Sequence, residues 1–575
     1  MNCNTSENSS SHAASSSITE LLRTLRGAYS SETQANSTRQ LLQVGEKILA
    51  EYDSEILALN TALSALRRKR EAIQSSLTQY RSLLAPIRRL PPEILSHIFC
   101  QLGPDFLMQF SSFSSLPALA VSAVCTSWRH LALSTPKLWA HLDVDLVDLS
   151  LRLDDDDQTD DSNYPFIKNA RRMRTNLRLY LERSCQAPLH LTLLVANLFT
   201  VDVKYNVSPM KALAEHAHRW HAVEIFWDYT RNEELGFDLP VPDNPFSTIT
   251  HLPNLKTFQF CHDGDVHHTA YDTFTLLAHT PWLSDFSAIG LLPSPSLTLP
   301  WHQITNLTLG RVPCSEALQL VQFCQNVISL CLNYLEDDQG VISSVTVPKL
   351  KSLTIGCDFG ESRVVLQDLF SCLTLPLLSS LCLKYHVDED SFGLWPTFRE
   401  GQWPHSEFSD MLSRSKCILD TLLLDHLLMK DVDILDLLHL TPSVTTLTII
   451  ESNVKRGTSI TDFFLDGLTF GGEAPNDTLL SEVILPNLRE IKFHVCNPLK
   501  FDPQKFARMV KSRWTPDSGN ERLSSVTLDW SAEQSCKRNF DKSIAEENIA
   551  PGLAPLFELR GADLFLNLFG TVLTQ

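Results

Sequence analysis

Glycine is scarce, only 20 of 575 residues, so the chain has little of the backbone freedom that phosphate-cradling loops need. No G-x-x-x-x-G-K-S/T loop or paired Gly-rich loop occurs, and G-x-S-x-G and H-E-x-x-H are also missing. Basic residues are outnumbered, 48 against 67 acidic, for a formal charge of −19. Such a chain is repelled by phosphate backbones and anionic membrane surfaces, so neither nucleic acid nor membrane is expected as a partner. No apolar run approaches the roughly 18 to 20 residues of a spanning helix, and the Ser-rich start Met1–Glu20 lacks the basic-then-apolar order of a secretory signal. The 14 cysteines include no C-x-x-C pair, and several sit inside apolar runs such as Leu330-Cys331-Leu332. That pattern predicts reduced, packed thiols in an intracellular protein of cytoplasm or nucleus, not a disulfide or zinc framework.

What is present is ordinary core material in quantity. Hydrophobic residues make up 43% and charged residues 20%, and a chain of this length exceeds a single compact domain. Residues 1–37, rich in Ser, Asn and Thr, read as a disordered arm.

Over 38–85 a sevenfold pattern takes over. Leu42, Leu49, Ile56, Leu63, Arg70, Leu77 and Leu84 occupy one position, and Gly45, Tyr52, Leu59, Leu66, Ile73 and Tyr80 the position three further on. With no proline before Pro86, this predicts one long helix. It fits a coiled coil, as a homodimer or a hairpin with another helix, or a helix lying on the rest of the chain. Arg67-Arg68-Lys69-Arg70 reads as a solvated helix face, with a nuclear import signal as the alternative.

The segment 86–145 carries two ordered blocks. Leu90-Pro91-Pro92-Glu93-Ile94-Leu95, with Ile98, Phe99 and Leu102, gives an extended entry and then a helix with a broad apolar face. Val121, Val124, Cys125, Trp128, Leu131 and Ala132 fit one face of a second helix, and Ser134-Thr135-Pro136 starts a short third one bearing Leu138 and Trp139. So small a unit cannot bury all this apolar surface internally.

The Leu-Pro-Pro-Glu-Ile-Leu and Val-Cys-x-x-Trp blocks resemble the F-box of the large fungal F-box family. The resemblance implies docking on a Skp-type adaptor and, through it, on a cullin-based ubiquitin ligase. It assigns the adaptor-facing surface and core to Leu90, Pro91, Ile94, Leu95, Ile98, Val124, Cys125 and Trp128. Extra residues around Gly103–Ser115 depart from the commonest form and leave the middle helix undefined.

Residues 146–170, with the run Asp154–Asp161, read as an acidic linker or loop. Over 171–575 a loose L-x-x-L-x-L pattern recurs, as in Leu255-x-x-Phe258-x-Phe260, Leu330-x-Leu332, Leu350-x-x-Leu353-x-Ile355 and on to Leu523-x-x-Val526-x-Leu528, with a further unit at Leu283-x-x-Phe286. Several neighbours stand about 23 to 28 residues apart, within the roughly 20 to 29 of leucine-rich repeats. Ser315–Cys324 and Leu366–Cys372 show helical spacing between them. The expected fold is therefore multidomain α plus α/β: a long N-terminal helix, a small helical F-box and a C-terminal, irregular leucine-rich-repeat-like solenoid. Gln259, Thr308, Cys331, Thr354, Cys382, Leu423, Thr448, Lys492 and Thr527 would share its open strand face.

The polar cluster His262-Asp263-Gly264-Asp265-Val266-His267-His268 has metal-ligand residue types but reads as a repeat loop. The chain is expected to be no enzyme and to need no cofactor or metal. The expected function is recruitment of a protein substrate to a Skp-cullin ligase. The alternative is a coiled-coil scaffold that binds no adaptor.

Overall fold

The computed structural model describes residues 32–102, 117–145, 175–195, 209–228, 246, 249–263, 271, 273–293, 299–338, 340, 343–357, 362–385, 403–426, 429–451, 460–470, 483–495, 501–514, 522–529, 551–556 and 565–569. The acidic run Asp154–Asp161 and the extra residues Gly103–Ser115 lie outside them. The chain divides into two compact units, Met1–Leu95 and Ser96–Gln575.

The first unit is dominated by helix α1, Glu32–Leu83, about 78 Å long at 1.5 Å per residue. It includes Glu32–Ser37, which the composition assigned to the arm; Glu32 in its first turn complements the positive end of the helix dipole. Mid-helix hydroxyls are accommodated by bonding back to carbonyls one turn earlier, Thr61 to Leu57 and Ser64 to Asn60, each at 2.8 Å. Pro86 then stops the helix and opens a short 3-10 turn, Pro86–Arg89. The sevenfold seam is exposed along its length.

Helix α2, Pro92–Cys100, begins on a proline whose missing N–H costs nothing in the first turn. In the second unit the expected single helix over Val121–Ala132 is two, α3 (Pro117–Val124) and α4 (Thr126–Leu133). Cys125 between them is extended, with φ −160° and ψ 170°, and its Sγ accepts the Trp128 amide at 3.5 Å as an N-cap. A 3-10 turn, Pro136–Trp139, leads directly into the first strand.

Among the described residues fourteen strands form one parallel sheet whose spatial order is the chain order. They are β1 (His141–Asp145), β2 (Leu189–Val195), β3 (Trp220–Asp228), β4 (Thr257–Asp263), β5 (Asp285–Ile289), β6 (Asn306–Gly310) and β7 (Ser329–Asn333), followed by β8 (Ser352–Cys357), β9 (Ser380–Tyr385), β10 (Thr421–Asp425), β11 (Thr446–Ile450), β12 (Glu490–His494), β13 (Ser525–Asp529) and β14 (Phe565–Phe569). Every quoted spacing unit leads into a strand and ends on it, including Leu283-x-x-Phe286, which ends on β5; β1, β2, β3 and β14 are additional. The helical spacings correspond to helices Cys314–Phe323 and Ser362–Cys372. Parallel strands joined by helices and turns, each buried on its neighbours, make this region an α/β solenoid-like array.

The register explains the spacing. Phe258, Phe286, Leu307, Leu330 and Leu353 pair in one continuous row, and Phe260, Ala288, Leu309, Leu332 and Ile355 in the next. Both rows are buried. At successive strand entries from β5 onward one carbonyl accepts two successive amides of the following unit: Lys256 from Ser284 and Asp285, Ser284 from Thr305 and Asn306, Thr305 from Ile328 and Ser329. At strand exit a left-handed residue turns the chain while its N–H reaches the next strand. Gly290 donates to Gly310, Arg311 to Asn333 and Tyr334 to Gly356, at 2.8 to 3.0 Å. These repeated backbone bonds satisfy groups that loops otherwise leave to water.

Candidate functional site

The segment from Leu90 to Trp139 divides its apolar residues between packing and solvent. In the first unit Leu90 is half-buried and extended, at φ −70° and ψ 137°, with its N–H on the Ile87 carbonyl. Pro91 is exposed, and its carbonyl receives the Leu95 amide at 3.1 Å, closing the first turn of α2. Leu95 is buried, whereas Ile94 is 49% exposed. Ile98, one turn further along the helix and already in the second unit, is also exposed.

In the second unit Phe99 is fully buried and its ring lies 4.8 Å from that of Trp128, tilted by 55°. Trp128 is half-buried and tied to Cys125 by the cap. Because the chain breaks at Cys125, Val124 ends α3 and is 61% exposed, rather than sharing an inward face with Val121 and Ala132. Arg129 Nε donates to the Ser122 carbonyl at 2.9 Å and clamps α4 to α3. Trp139 and Ala132 are fully buried, and the indole edge packs on Tyr180 at 5.0 Å. Burial raises the Cys100 thiol above its usual range, so it stays protonated at neutral pH.

The eight residues singled out by sequence thus fall into three kinds: Pro91, Ile94, Ile98 and Val124 exposed, Leu90, Cys125 and Trp128 half-buried, and Leu95 in the core. Leu133, 43% exposed, was not singled out, because it lies off the Trp128, Leu131 and Ala132 spacing on the same helix. Exposed aliphatics on short, internally packed helices are suited to docking an apolar face of another chain.

The open face of the sheet is the other large feature. Gln259, Thr308, Cys331, Thr354, Cys382, Leu423, Thr448, Lys492 and Thr527 all fall in one register row, completed at β5 by Ser287. They are half-buried or exposed. Burial, helped by the Asp425 charge, pushes the Cys382 thiol up to about 11, so it is a neutral thiol at neutral pH in a row that also presents hydroxyls and the Lys492 ammonium. At the strand-entry end a cleft of about 600 Å³ is lined by His218, Arg219, His221, Lys256 and the exposed Trp282. His262, from the candidate metal cluster, is buried on β4, and residues 264–268 lie outside the described ones. Among the described residues no group of three or more His, Cys, Asp or Glu could hold a metal ion, and no helix is long and apolar enough to cross a membrane.

No curated protein matches the chain. A family model described as F-box-like matches residues 87–145, a span that takes in the two helical blocks, the Trp139 turn and the first strand.

Proposed function

We propose that the chain is a substrate-recruiting subunit of a Skp-cullin-F-box ubiquitin ligase. The observation that carries this reading is the exposure of Ile94, Ile98 and Val124 within an F-box-like domain whose own core is already closed by Phe99, Trp128 and Trp139. These aliphatics, with Leu90 and Pro91 at the helix entry, dock a Skp-type adaptor, which joins the chain to a cullin. The solenoid-like array, read as irregular leucine-rich repeats, holds a protein target on its open sheet face. Catalysis belongs to other subunits, and the chain contributes proximity: a tethered target is present at high effective concentration beside the transferring enzyme. Such work places the protein in cytoplasm or nucleus.

Co-purification with a Skp-type adaptor tests the reading. The wild type is expected to bind stoichiometrically, and a Leu90→Ala, Pro91→Ala double variant with unchanged circular dichroism is expected to lose the adaptor. A wild type that fails to bind would favour a scaffold without ligase association, whose exposed α1 seam would be the principal contact surface.

A further inference from the structure

The exposed seam of α1 lies outside the F-box-like domain and is not used by the adaptor reading. Leu42, Leu49, Ile56, Leu63 and Leu77 on one heptad position and Tyr52, Leu59, Leu66, Ile73 and Tyr80 on the other are all open; Leu63, the least exposed, still shows 46%. An apolar stripe this long on a solvated rod marks an interaction surface.

Charge along the same helix is strongly polar. Between Leu42 and Leu66 stand Glu46, Glu51, Asp53 and Glu55 against Lys47; from Arg67 to Leu84 stand Arg67, Arg68, Lys69, Arg70 and Arg81 against Glu71. In a parallel pair Arg70 would meet Arg70 inside the seam, with the Arg67–Lys69 clusters side by side. A like-charge contact at a core position and along its flank disfavours that arrangement.

We propose that α1 pairs with α1 of a second copy of this chain as an antiparallel two-stranded coiled coil, in a register centred on Thr61. That register sets Ile56 against Leu66, Leu63 against Leu59, Leu49 against Ile73 and Leu42 against Tyr80. The two irregular seam positions are resolved by it. Arg70 faces Tyr52 of the second copy, where its stem covers apolar surface and its guanidinium meets a phenol ring. Gly45 faces Leu77, a small residue opposite a large one. On the flanks Asp53 meets Arg67 and Glu55 meets Lys69, each pair occurring twice because the two-fold axis repeats it. The acidic half of each helix thus lies on the basic half of the other. The two chains leave the rod towards their F-box-like domains at opposite ends, about 70 Å apart by helix rise.

The test uses the full chain and sedimentation equilibrium. Wild type is expected to be a dimer at micromolar concentration, weakening as salt is raised. Asp53→Arg with Glu55→Lys, and separately Arg67→Asp with Lys69→Glu, are each expected to weaken self-association at least about tenfold, since four attractive flank contacts become repulsive. An equimolar mixture of the two variants is expected to recover dimer mass, because every flank contact between them is again opposite in sign. In a parallel pair Asp53 flanks Ile48 and Glu55 flanks Asn60, so a dimer indifferent to both reversals would overturn the proposal. A monomeric wild type would overturn it too.

Discussion

The indole Nε1 of Trp139 donates to the carbonyl oxygen of Ala132 at 2.8 Å, and both residues are fully buried. This bond fixes the 3-10 turn before β1 to the last turn of α4, so the end of the helical domain and the start of the sheet are built as one piece. The Thr135 amide also reaches that carbonyl, at 3.3 Å, and would keep it partly satisfied if the indole were lost. Trp139→Phe is therefore expected to cost about 1 to 2 kcal/mol and Trp139→Ala about 3 to 5 kcal/mol. Urea unfolding followed by circular dichroism measures both.

The division between exposed and buried aliphatics in the F-box-like domain separates binding from folding. Ile94→Ser, Ile98→Ser and Val124→Ser are expected to abolish adaptor capture while changing stability by no more than about 0.5 kcal/mol. Phe99→Ala removes a buried ring packed on Trp128 and is expected to cost about 3 to 5 kcal/mol. Pull-down and unfolding midpoints on the same preparations distinguish the two effects; capture retained in all three serine variants would move the docking surface elsewhere.

His190 lies between His141 and His221, with ring centroids 4.6 and 5.5 Å away. Burial, with the charges of those two neighbours, lowers its pKa to about 4. The folded state therefore binds fewer protons than the unfolded one between about pH 6.5 and 4, and stability falls as pH drops through that window. The loss attributable to His190 is expected to be roughly 1 to 2 kcal/mol, and His190→Gln is expected to remove it. Unfolding curves of both proteins at pH 7 and pH 4.5 provide the comparison.

Gly290 leaves β5 at φ +79°, and a Cβ there would stand 2.1 Å from the His262 carbonyl oxygen. Gly290→Ala is expected to destabilise the array by roughly 2 to 3 kcal/mol. Gly45 in α1 has open space around it, so Gly45→Ala is expected to stabilise the helix slightly, by about 0.5 to 1 kcal/mol. Helix content and unfolding midpoint report the opposite signs.

The alternation of apolar residues was readable because it is the register itself: Leu330 and Leu353 recur at matched positions because they stand side by side in the sheet. Gly310 and Asn333 are matched one position beyond Leu309 and Leu332, yet the turns that follow rest on Arg311 and Tyr334 in left-handed backbone. Neither residue type announces such a turn, and so the exits were invisible. The helix break at Cys125 was missed for a related reason, since Val121, Cys125, Trp128 and Ala132 keep helical spacing across it and cysteine is an uncommon cap. Strands β1 to β3 lie beyond long intervening segments, where the spacing no longer signals a repeat. Arg513 belongs to none of the spacing units above. In the structure it is buried, donates to the carbonyls of Leu468, Ile484 and Leu485, and lies 4.2 Å from the Phe470 ring. Such a site comes from two distant segments, Leu468–Phe470 and Ile484–Leu485, ending near one helix, which no local pattern encodes.

Among the described residues each strand of the array pairs with those before and after it in the chain, so loss of order at β14 removes one interface and leaves β1 to β12 with these partners. Unfolding of such an array proceeds from an end, one unit at a time, and protection of its amides against exchange should rise from the last strand inward. A protease that engaged the C-terminal end would meet a series of modest barriers in place of a single large one.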